Sequence, residues 1–208
     1  MQDYLDLADY RRKVQAIYAS VRNWTMPVER RWRYWVMARD ELIGHHPQSA
    51  LSNQQQGNFP GLLYYPYDPG LRRLVEIEAE VESEILDVSL KEDGTFRMQR
   101  IGRLRFGING QSVSLSLFRV LGYAGGLFLP FRDTSVGTYQ GTRYLLDTVK
   151  GADLGVEQGK MVIDFNFAYN PSCAYHPRWI CPLAPAENWL KVPINAGEKA
   201  YPGGQVTA

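Results

Sequence analysis

The first part of the chain carries a helical pattern of hydrophobic and polar positions. Apolar side chains recur every three or four residues over residues 4–23, with charged side chains between them, and the same spacing returns over residues 28–43. This spacing matches the turn of an α-helix. Residues 23–27 break the pattern, and Gly44 ends the second run. The pattern predicts a pair of amphipathic helices within residues 1–45.

The period then changes from that of a helix to that of a β-strand. Residues 46–70 are polar at first and then rich in proline, glycine and tyrosine, and they predict a long irregular loop. Residues 75–82 alternate between apolar side chains and glutamates, which predicts one half-buried strand. Asp93-Gly94 and Asn109-Gly110 each separate two alternating runs, so each predicts a tight β-hairpin.

Further strands are expected near residues 127–131, 143–149, 160–166 and 191–195. Because hairpin follows hairpin without a helix between them, the strands predict an antiparallel meander that closes into a barrel or folds into a sandwich. The sequence therefore predicts one domain over residues 1–208, mainly β and of the α+β class. Its parts are a helical pair at 1–45, a loop at 46–70 and a β-rich core at 71–200.

Composition narrows the classes of function. Of the 208 residues, 45% are hydrophobic and 22% are charged, which is the balance of an ordinary globular domain. The formal net charge of +1 gives no long-range field that would attract nucleic acid or an anionic membrane. The N-terminal residues mix acids and bases, and no window approaches the ~20 apolar residues of a membrane span. We therefore expect a soluble cytoplasmic protein with no nucleic acid or membrane partner. The sequence is compatible with a monomer or a homo-oligomer.

The densest group of polar, aromatic and reactive side chains lies between Asp164 and Glu198. The segment is DFNFAYNPSCAYHPRWICPLAPAENWLKVPINAGE, and its prolines prevent a single regular element. Together with LPFRDTSVGTYQGTRYLLD at residues 129–147, it resembles an uncharacterised bacterial family, domain of unknown function family 1684. Weaker matches extend the resemblance over roughly residues 30–200. The resemblance implies kinship and no catalytic residues, so the candidate chemistry rests on the side chains themselves.

Three carboxylates in the 164–198 segment are candidates for general acid–base catalysis. Asp164, Glu187 and Glu198 lie among apolar or aromatic neighbours, where burial would raise a carboxyl pKa toward the range that such catalysis needs. The alternative is structural. In that case each carboxylate caps a turn, accepts hydrogen bonds from loop amides, or pairs with Arg143 or Arg178.

Residues suited to anchoring a ligand lie in both motif segments. Arginine and tyrosine side chains in the 132–144 loop suit a carboxylate or phosphate group, and asparagines in the 164–198 segment offer amides. The predicted ligand-binding residues are Arg132, Asp133, Tyr139, Arg143, Tyr144, Asn166, Asn170 and Asn188. The alternatives are an internal ion pair between Asp133 and Arg143, and asparagines that bond their own turns.

Cys173, His176 and Cys181 admit four interpretations. Their C-x2-H-x4-C spacing offers thiolate and imidazole ligands to zinc or copper, one ligand short of a closed structural site. The two cysteines could instead form a disulfide, or Cys173 could act as a nucleophile with His176 as its base. Two unmodified thiols, packed as small hydrophobic groups, are the alternative that a reducing cytoplasm favours.

Three functional hypotheses follow. The first is a small enzyme or small-molecule-binding protein whose unidentified ligand lies between the 132–144 loop and the 164–198 segment. The second is a non-catalytic interaction module that uses the tryptophans of the helical pair, Trp24, Trp32 and Trp35. The third is a metalloprotein built on the two cysteines and His176. The sequence predicts no particular cofactor, substrate or reaction, and the first hypothesis requires that the two motif segments meet.

Overall fold

Two helices form the N-terminal layer, as the hydrophobic pattern predicts. The computed structural model describes residues 2–123 and 125–205. In it, α1 spans Gln2–Val21 and α2 spans Val28–His45, and the two helices pack against each other. Both turn an apolar stripe inward, and Trp35 on α2 is completely buried. Among the described residues, no helix has both the length and the apolar composition needed to cross a membrane.

The strands of the described residues form two antiparallel sheets. They are β1 (Arg72–Val75), β2 (Ile77–Glu78), β3 (Ile85–Ser89), β4 (Thr95–Ile108), β5 (Gln111–Val120), β6 (Gly126–Phe131), β7 (Arg143–Asp147), β8 (Val156–Glu157) and β9 (Lys160–Asp164). The larger sheet has the order β2-β4-β5-β6-β7, with β3 also paired to β4, and the smaller sheet has the order β1-β9-β8. The mainly β fold of the α+β class is thereby confirmed.

The two sheets are sandwich-like, and the barrel alternative is wrong. Within the described ranges, the larger sheet ends at β2 on one side and at β7 on the other. Beyond β7 lies the irregular segment that holds Tyr169, which meets Tyr144 through one antiparallel bridge. Because this segment covers the outer edge of β7, that edge cannot pair with β2 and close the sheet.

The two predicted hairpins are confirmed. Asp93-Gly94 lies between β3 and β4, and Asn109-Gly110 lies between β4 and β5. Asn109 and Gly110 have φ angles of 50° and 76°, and a type I′ turn requires a positive φ at both central positions. The turn pairs Ile108 with Gln111 and so sets the register of the two longest strands.

The single strand predicted over residues 75–82 is wrong, because the chain changes sheets there. Val75 pairs with Met161 on β9, whereas Ile77 pairs with Leu104 on β4. No further strand residue follows β2 until β3 begins, and the Ile77 side chain is 42% exposed. The alternating sequence therefore spans a crossing between two sheets rather than one buried face.

The strand predicted over residues 191–195 is also wrong. Ile194 is buried there, but its backbone amide donates to Asp133 Oδ2 at 2.7 Å, and its carbonyl accepts from Arg143 Nη2 at 2.9 Å. Two side chains thus take the backbone hydrogen bonds that a neighbouring strand would otherwise supply.

The predicted loop over residues 46–70 contains one short helix. This helix, α3, spans Asn53–Gly57 and begins with a capping box in which Ser52 and Gln55 satisfy each other's backbone amides. Leu51, just before it, is buried against the end of α2. The loop is therefore anchored to the helical layer.

Both faces of the larger sheet are covered. Leu117 and Phe118 are neighbours on β5 and both are completely buried, yet they belong to different hydrophobic clusters, since successive side chains of a strand point to opposite faces. Phe118 packs in the cluster that contains the helical pair. Leu117 packs in the cluster that contains β9 and the segment near Ile194. The C-terminal segment therefore runs from one side of the sheet to the other and reaches both layers.

Candidate functional site

A partly enclosed cavity lies between the helical pair and the C-terminal segment. Its volume is about 260 Å³, and its walls come from α1, α2, the loop before α3, β7 and the residues after β9. The apolar part of the lining includes Val14, Tyr18, Ile43, Tyr144 and Trp179. Two other hollows, of about 350 and 620 Å³, are shallow grooves that open more widely to solvent. The inter-layer cavity is therefore the better candidate for holding a small molecule.

Three residues that line this cavity each have a buried polar atom without a hydrogen-bond partner in the described part of the chain. The atoms are Arg11 Nη1, Tyr169 Oη and Asn170 Oδ1. Leaving such an atom unpaired costs about 1–3 kcal/mol, so native proteins rarely do so. Of the six such atoms in the described part of the chain, these three surround one cavity, where a bound molecule or water would complete their hydrogen bonds.

The direction of each free group follows from its other contacts. Asn170 Nδ2 donates to the carbonyl of Lys199 at 2.8 Å, so its Oδ1 is left as an acceptor. Burial raises the pKa of Tyr169 well above its usual value, so its hydroxyl keeps its proton and can donate. The guanidinium of Arg11 can only donate.

The side chains that line the cavity carry net positive charge. Arg11, Arg39 and Lys150 line it, and within the described ranges no aspartate or glutamate does. Two of the cations are already paired, Arg39 with Glu198 at 2.7 Å and Lys150 with Asp147 at 2.8 Å. Arg11 forms no ion pair with any described residue, so one positive charge is left uncompensated.

Glu198 holds several wall residues in place. It is 1% exposed and accepts hydrogen bonds from Arg39 Nη2 at 2.7 Å, from the Tyr175 hydroxyl and from the Asn170 backbone amide at 3.0 Å. These three partners all line the cavity, whereas Glu198 does not. The residue predicted as a catalytic acid or base thus positions the wall from behind.

Contacts between distant parts of the chain fix the two walls relative to each other. Trp32 on α2 donates from Nε1 to the carbonyl of Asn166 at 3.0 Å. Arg178 donates to the carbonyls of Ser49 at 3.1 Å and Leu51 at 2.8 Å. The C-terminal segment is therefore attached both to α2 and to the loop that follows it.

The 132–144 loop and the 164–198 segment do meet, through a buried ion pair. Arg143, 1% exposed, pairs with Asp133 at 3.0 Å and also donates to the carbonyls of Ile194 and Ala196 at 2.9 and 2.5 Å. The Nε atom of Arg143 has no hydrogen-bond partner in the described part of the chain. Asp133 and Arg143 thus join the two segments, and neither lines the cavity.

Of the other residues predicted to bind a ligand, only some line the cavity. Tyr144 and Asn170 line the cavity. Arg132 lies over the ring of Trp189, with 4.9 Å between the guanidinium carbon and the ring centroid. The hydroxyl of Tyr139 faces a thiol rather than the cavity.

The two remaining asparagines bond the backbone of distant segments. Asn166 accepts from the backbone amide of Asp68 at 2.8 Å and donates to the carbonyl of the same residue at 2.8 Å. Asn188 accepts from the Ser116 amide at 2.8 Å and donates to the carbonyls of Ser116 and Pro130 at 3.0 and 2.8 Å. Asn166 thus holds the backbone at Asp68, and Asn188 bridges β5 and β6.

The other two predicted catalytic carboxylates lie in separate networks, and neither lines the cavity. Asp164 is 1% exposed and accepts from Asn166 Nδ2 at 2.7 Å and from the Tyr67 hydroxyl at 3.3 Å. Burial raises the pKa of Asp164 to about 6 despite these hydrogen bonds. Glu187 pairs with Arg100 at 2.7 Å.

The structure brings two of the three predicted metal ligands together but not the third, His176. No three or more His, Cys, Asp or Glu side chains of the described residues are grouped closely enough to hold a metal ion. Cys173 and Cys181 are neighbours and both are free thiols. His176 Nδ1 instead accepts from the backbone amide of Arg178 at 3.1 Å. The imidazole thus bonds its own turn, and the three residues form no metal-binding group.

The tryptophans of the helical pair differ in exposure. Trp35 is buried, and it packs against Phe167 with 5.3 Å between ring centroids. Trp32 also packs against the core. Trp24 is 40% exposed and lies under the guanidinium of Arg31 at 4.5 Å.

Sequence patterns missed most of the cavity. Arg11 falls among the charged positions of α1, where the pattern predicts a solvated face. Tyr169 was one aromatic residue among many in its segment. A signal for Arg39 did exist, because it interrupts the apolar stripe of α2 between Trp35 and Leu42, where a core side chain is expected.

Comparisons with known proteins identify relatives without indicating an activity. The sequence profile of a family described as "Protein of unknown function (DUF1684)" matches residues 57–199. A structurally similar protein is the uncharacterized protein from gene locus rrnAC0354 of Haloarcula marismortui, solved by solution NMR. It is 32% identical with a TM-score of 0.58, and the similarity covers 82% of this chain and 93% of that chain. No curated protein matches.

Proposed function

The chain belongs to the DUF1684 family, and from the cavity between its helical pair and its C-terminal segment we propose that it binds a small organic anion there. The ligand class that fits is a monocarboxylate with a compact apolar or aromatic body and one hydroxyl or N–H donor. The observation that carries the proposal is the set of buried unpaired atoms on Arg11, Tyr169 and Asn170.

Charge supports an anion with a single negative charge. Arg39 and Lys150 are neutralised by their own carboxylate partners, and Arg11 is not. A guanidinium binds a carboxylate through short, charge-assisted hydrogen bonds, which are roughly twice as strong as neutral ones. The second negative charge of a dianion would have no unpaired cation among the described lining residues.

The neutral groups support a donor on the same ligand. Asn170 Oδ1 requires a hydroxyl or N–H from the bound molecule, and Tyr169 can donate to the anionic group or to another acceptor. A ligand without a donor would leave Asn170 unpaired, at a cost of about 1–3 kcal/mol. The site therefore favours a hydroxy- or amino-substituted acid over the unsubstituted acid.

Size limits the body of the ligand. A volume of about 260 Å³ lies just below the ~300–1,000 Å³ of typical small-molecule sites, so one ring or a short branched chain fits. Val14, Ile43 and Trp179 supply apolar surface for it. Burial of that surface contributes affinity without adding specificity.

A direct test uses 4-hydroxybenzoate as the probe and 4-hydroxybenzamide as its neutral match, with calorimetric titration as the measurement. We expect the carboxylate to bind at least about tenfold more tightly than the amide, because one charge-assisted hydrogen bond is worth more than ~1.4 kcal/mol. Arg11→Gln should abolish this difference. Arg12→Gln, which removes the same charge from a side chain that is 71% exposed, should retain it.

Three results would overturn the proposal. The first is equal affinity for the carboxylate and the amide in the unmodified protein. The second is an equal loss of affinity in Arg11→Gln and Arg12→Gln, since only Arg11 lines the cavity. The third is no binding by either probe, by benzoate or by 4-aminobenzoate at millimolar concentration.

A further inference from the structure

The two cysteines of the chain lie side by side. The backbone amide of Cys173 donates to Cys181 Sγ at 3.4 Å, and both residues are free thiols. A sulfur so close to the Cys173 backbone is within reach of the thiol on the same residue. Proximity of this kind is the first requirement of a disulfide, whose two Cβ atoms lie about 4 Å apart.

The two thiols differ in their electrostatic surroundings. The hydrogen bond from the Cys173 thiol, assisted by backbone amides and the charge of Lys150, lowers the pKa of Cys181 to about 7 against the effect of burial. The same hydrogen bond, together with burial, raises the pKa of Cys173. Tyr139, whose hydroxyl lies 3.8 Å from Cys173 Sγ, and Tyr144 also lie near the pair. Cys181, whose sulfur also accepts from the Cys173 backbone amide, is therefore the more acidic thiol of the pair.

The pair is also accessible and has no role in the proposed ligand site. Both side chains are half-buried, which suits a reagent as small as hydrogen peroxide. Neither lines the cavity, although Ser172 and Tyr175 on either side of Cys173 do. A reachable cysteine of lowered pKa beside a second cysteine is the arrangement found in redox-sensitive sites.

From this geometry we propose that Cys173 and Cys181 are an oxidation site, in which a peroxide converts the two thiols reversibly into a disulfide. Cys181 is the residue that the peroxide attacks first, and Cys173 is the resolving residue. The proposal stands independently of any ligand in the cavity.

The chemistry proceeds in two balanced steps. The Cys181 thiolate attacks one oxygen of hydrogen peroxide, so that an S–O bond forms, the O–O bond breaks, and the departing hydroxide takes up a proton to become water. Cys173 then attacks the resulting sulfenic sulfur as its thiol proton leaves, so that the S–S bond forms and the S–O bond breaks with release of a second water. Two thiols are oxidised and one peroxide is reduced to two waters. A dithiol reductant reverses the change.

The test treats the purified full chain with one to five equivalents of hydrogen peroxide and measures intact mass and free thiols. We expect the loss of two hydrogen atoms in mass and of both free thiols, with full recovery after dithiothreitol. Cys173→Ser should stop at a sulfenic acid on Cys181 that dimedone traps. Without peroxide, iodoacetamide should modify Cys181 at least about tenfold faster than Cys173 at pH 7.

Other outcomes would overturn the proposal. One is addition of oxygen atoms to the unmodified chain without loss of two hydrogens, which would mean that the thiols oxidise separately. Another is a dimer linked between chains, seen on a non-reducing gel. A third is faster alkylation of Cys173 than of Cys181, which would reverse the assigned roles. Because the readouts are masses and thiol counts, failure here leaves the ligand-binding proposal unaffected.

Discussion

At the scale of single residues, Asp164 couples the stability of the fold to pH. Burial raises its pKa from 3.8 to about 6, so the folded state binds the proton more tightly than the unfolded chain does. Its contribution to the free energy of unfolding therefore falls as pH rises from about 4 to 6 and is constant above that. Asp164→Asn keeps the shape of the side chain and one acceptor. We expect the free energy of unfolding of this variant, relative to that of wild type, to be on the order of 2–3 kcal/mol higher at pH 7 than at pH 4.

Urea unfolding at a series of pH values measures this difference. Asp87→Asn is the matched control, since the Asp87 side chain is 55% exposed on β3, and it should follow the wild-type pH dependence. The expected proton uptake would be contradicted if the free energies of unfolding of wild type and Asp164→Asn changed in parallel from pH 4 to 7.

The buried pair of Asp133 and Arg143 allows the structural and the ligand-anchoring interpretations to be separated. Asp133→Ala leaves a completely buried guanidinium without its partner, so we expect a loss of ~3–5 kcal/mol in urea unfolding. Asp87→Ala breaks the exposed pair with Arg97 and should cost less than ~1 kcal/mol. If Asp133→Ala were as stable as wild type but bound 4-hydroxybenzoate more weakly, the ligand-anchoring role would be favoured instead.

At the scale of elements, the turn at Asn109-Gly110 shows which local features a sequence determines. Gly110 has a φ of 76°, and a Cβ added there would meet open space, so Gly110→Ala tests backbone conformation alone. We expect a loss of ~1–2 kcal/mol in thermal or urea unfolding. Gly57→Ala is the matched control, because its Cβ also meets nothing and its φ is not positive. An equal effect at both glycines would rule out conformational strain as the cause.

Elements that depend on local chemistry were predictable, and elements that depend on distant partners were not. The helical pair and both hairpins follow from periodicity and turn residues, which act within a few positions. Residues 75–82 alternate like one strand, but Val75 pairs with β9 and Ile77 pairs with β4. Because β9 lies ~80 residues further along the chain, the local pattern does not reveal this division. Residues 191–195 lack a strand because Asp133 and Arg143 supply the hydrogen bonds.

At the scale of the whole molecule, the sequence identified one wall of the candidate site and misplaced the other. The 164–198 segment supplies Tyr169, Asn170 and Tyr175, as expected of the stretch richest in special residues. Its main partner across the cavity is the helical pair, and of the 132–144 loop only Tyr144 is among the described lining residues. Only tertiary packing brings α1 into contact with a segment more than ~150 residues away, and no local pattern encodes that distance. The family profile, which begins at residue 57, does not include this helical wall.

Long-range links between the layers predict that the helices and the C-terminal segment unfold together. Arg39 on α2 pairs with buried Glu198, and Trp32 donates to the Asn166 carbonyl. Separation of the layers would break this buried ion pair and this hydrogen bond, so far-UV circular dichroism and amide hydrogen exchange in the 164–198 segment should give one coincident urea transition. Arg39→Met should shift both transitions together by ~3–5 kcal/mol, because Glu198 then stays buried without its cation. Arg33→Met, at a position 69% exposed on the same helix, should change neither by more than ~1 kcal/mol. Loss of amide protection in the 164–198 segment well before the helices unfold would show instead that the C-terminal segment opens separately, and the cavity would then lack a fixed second wall.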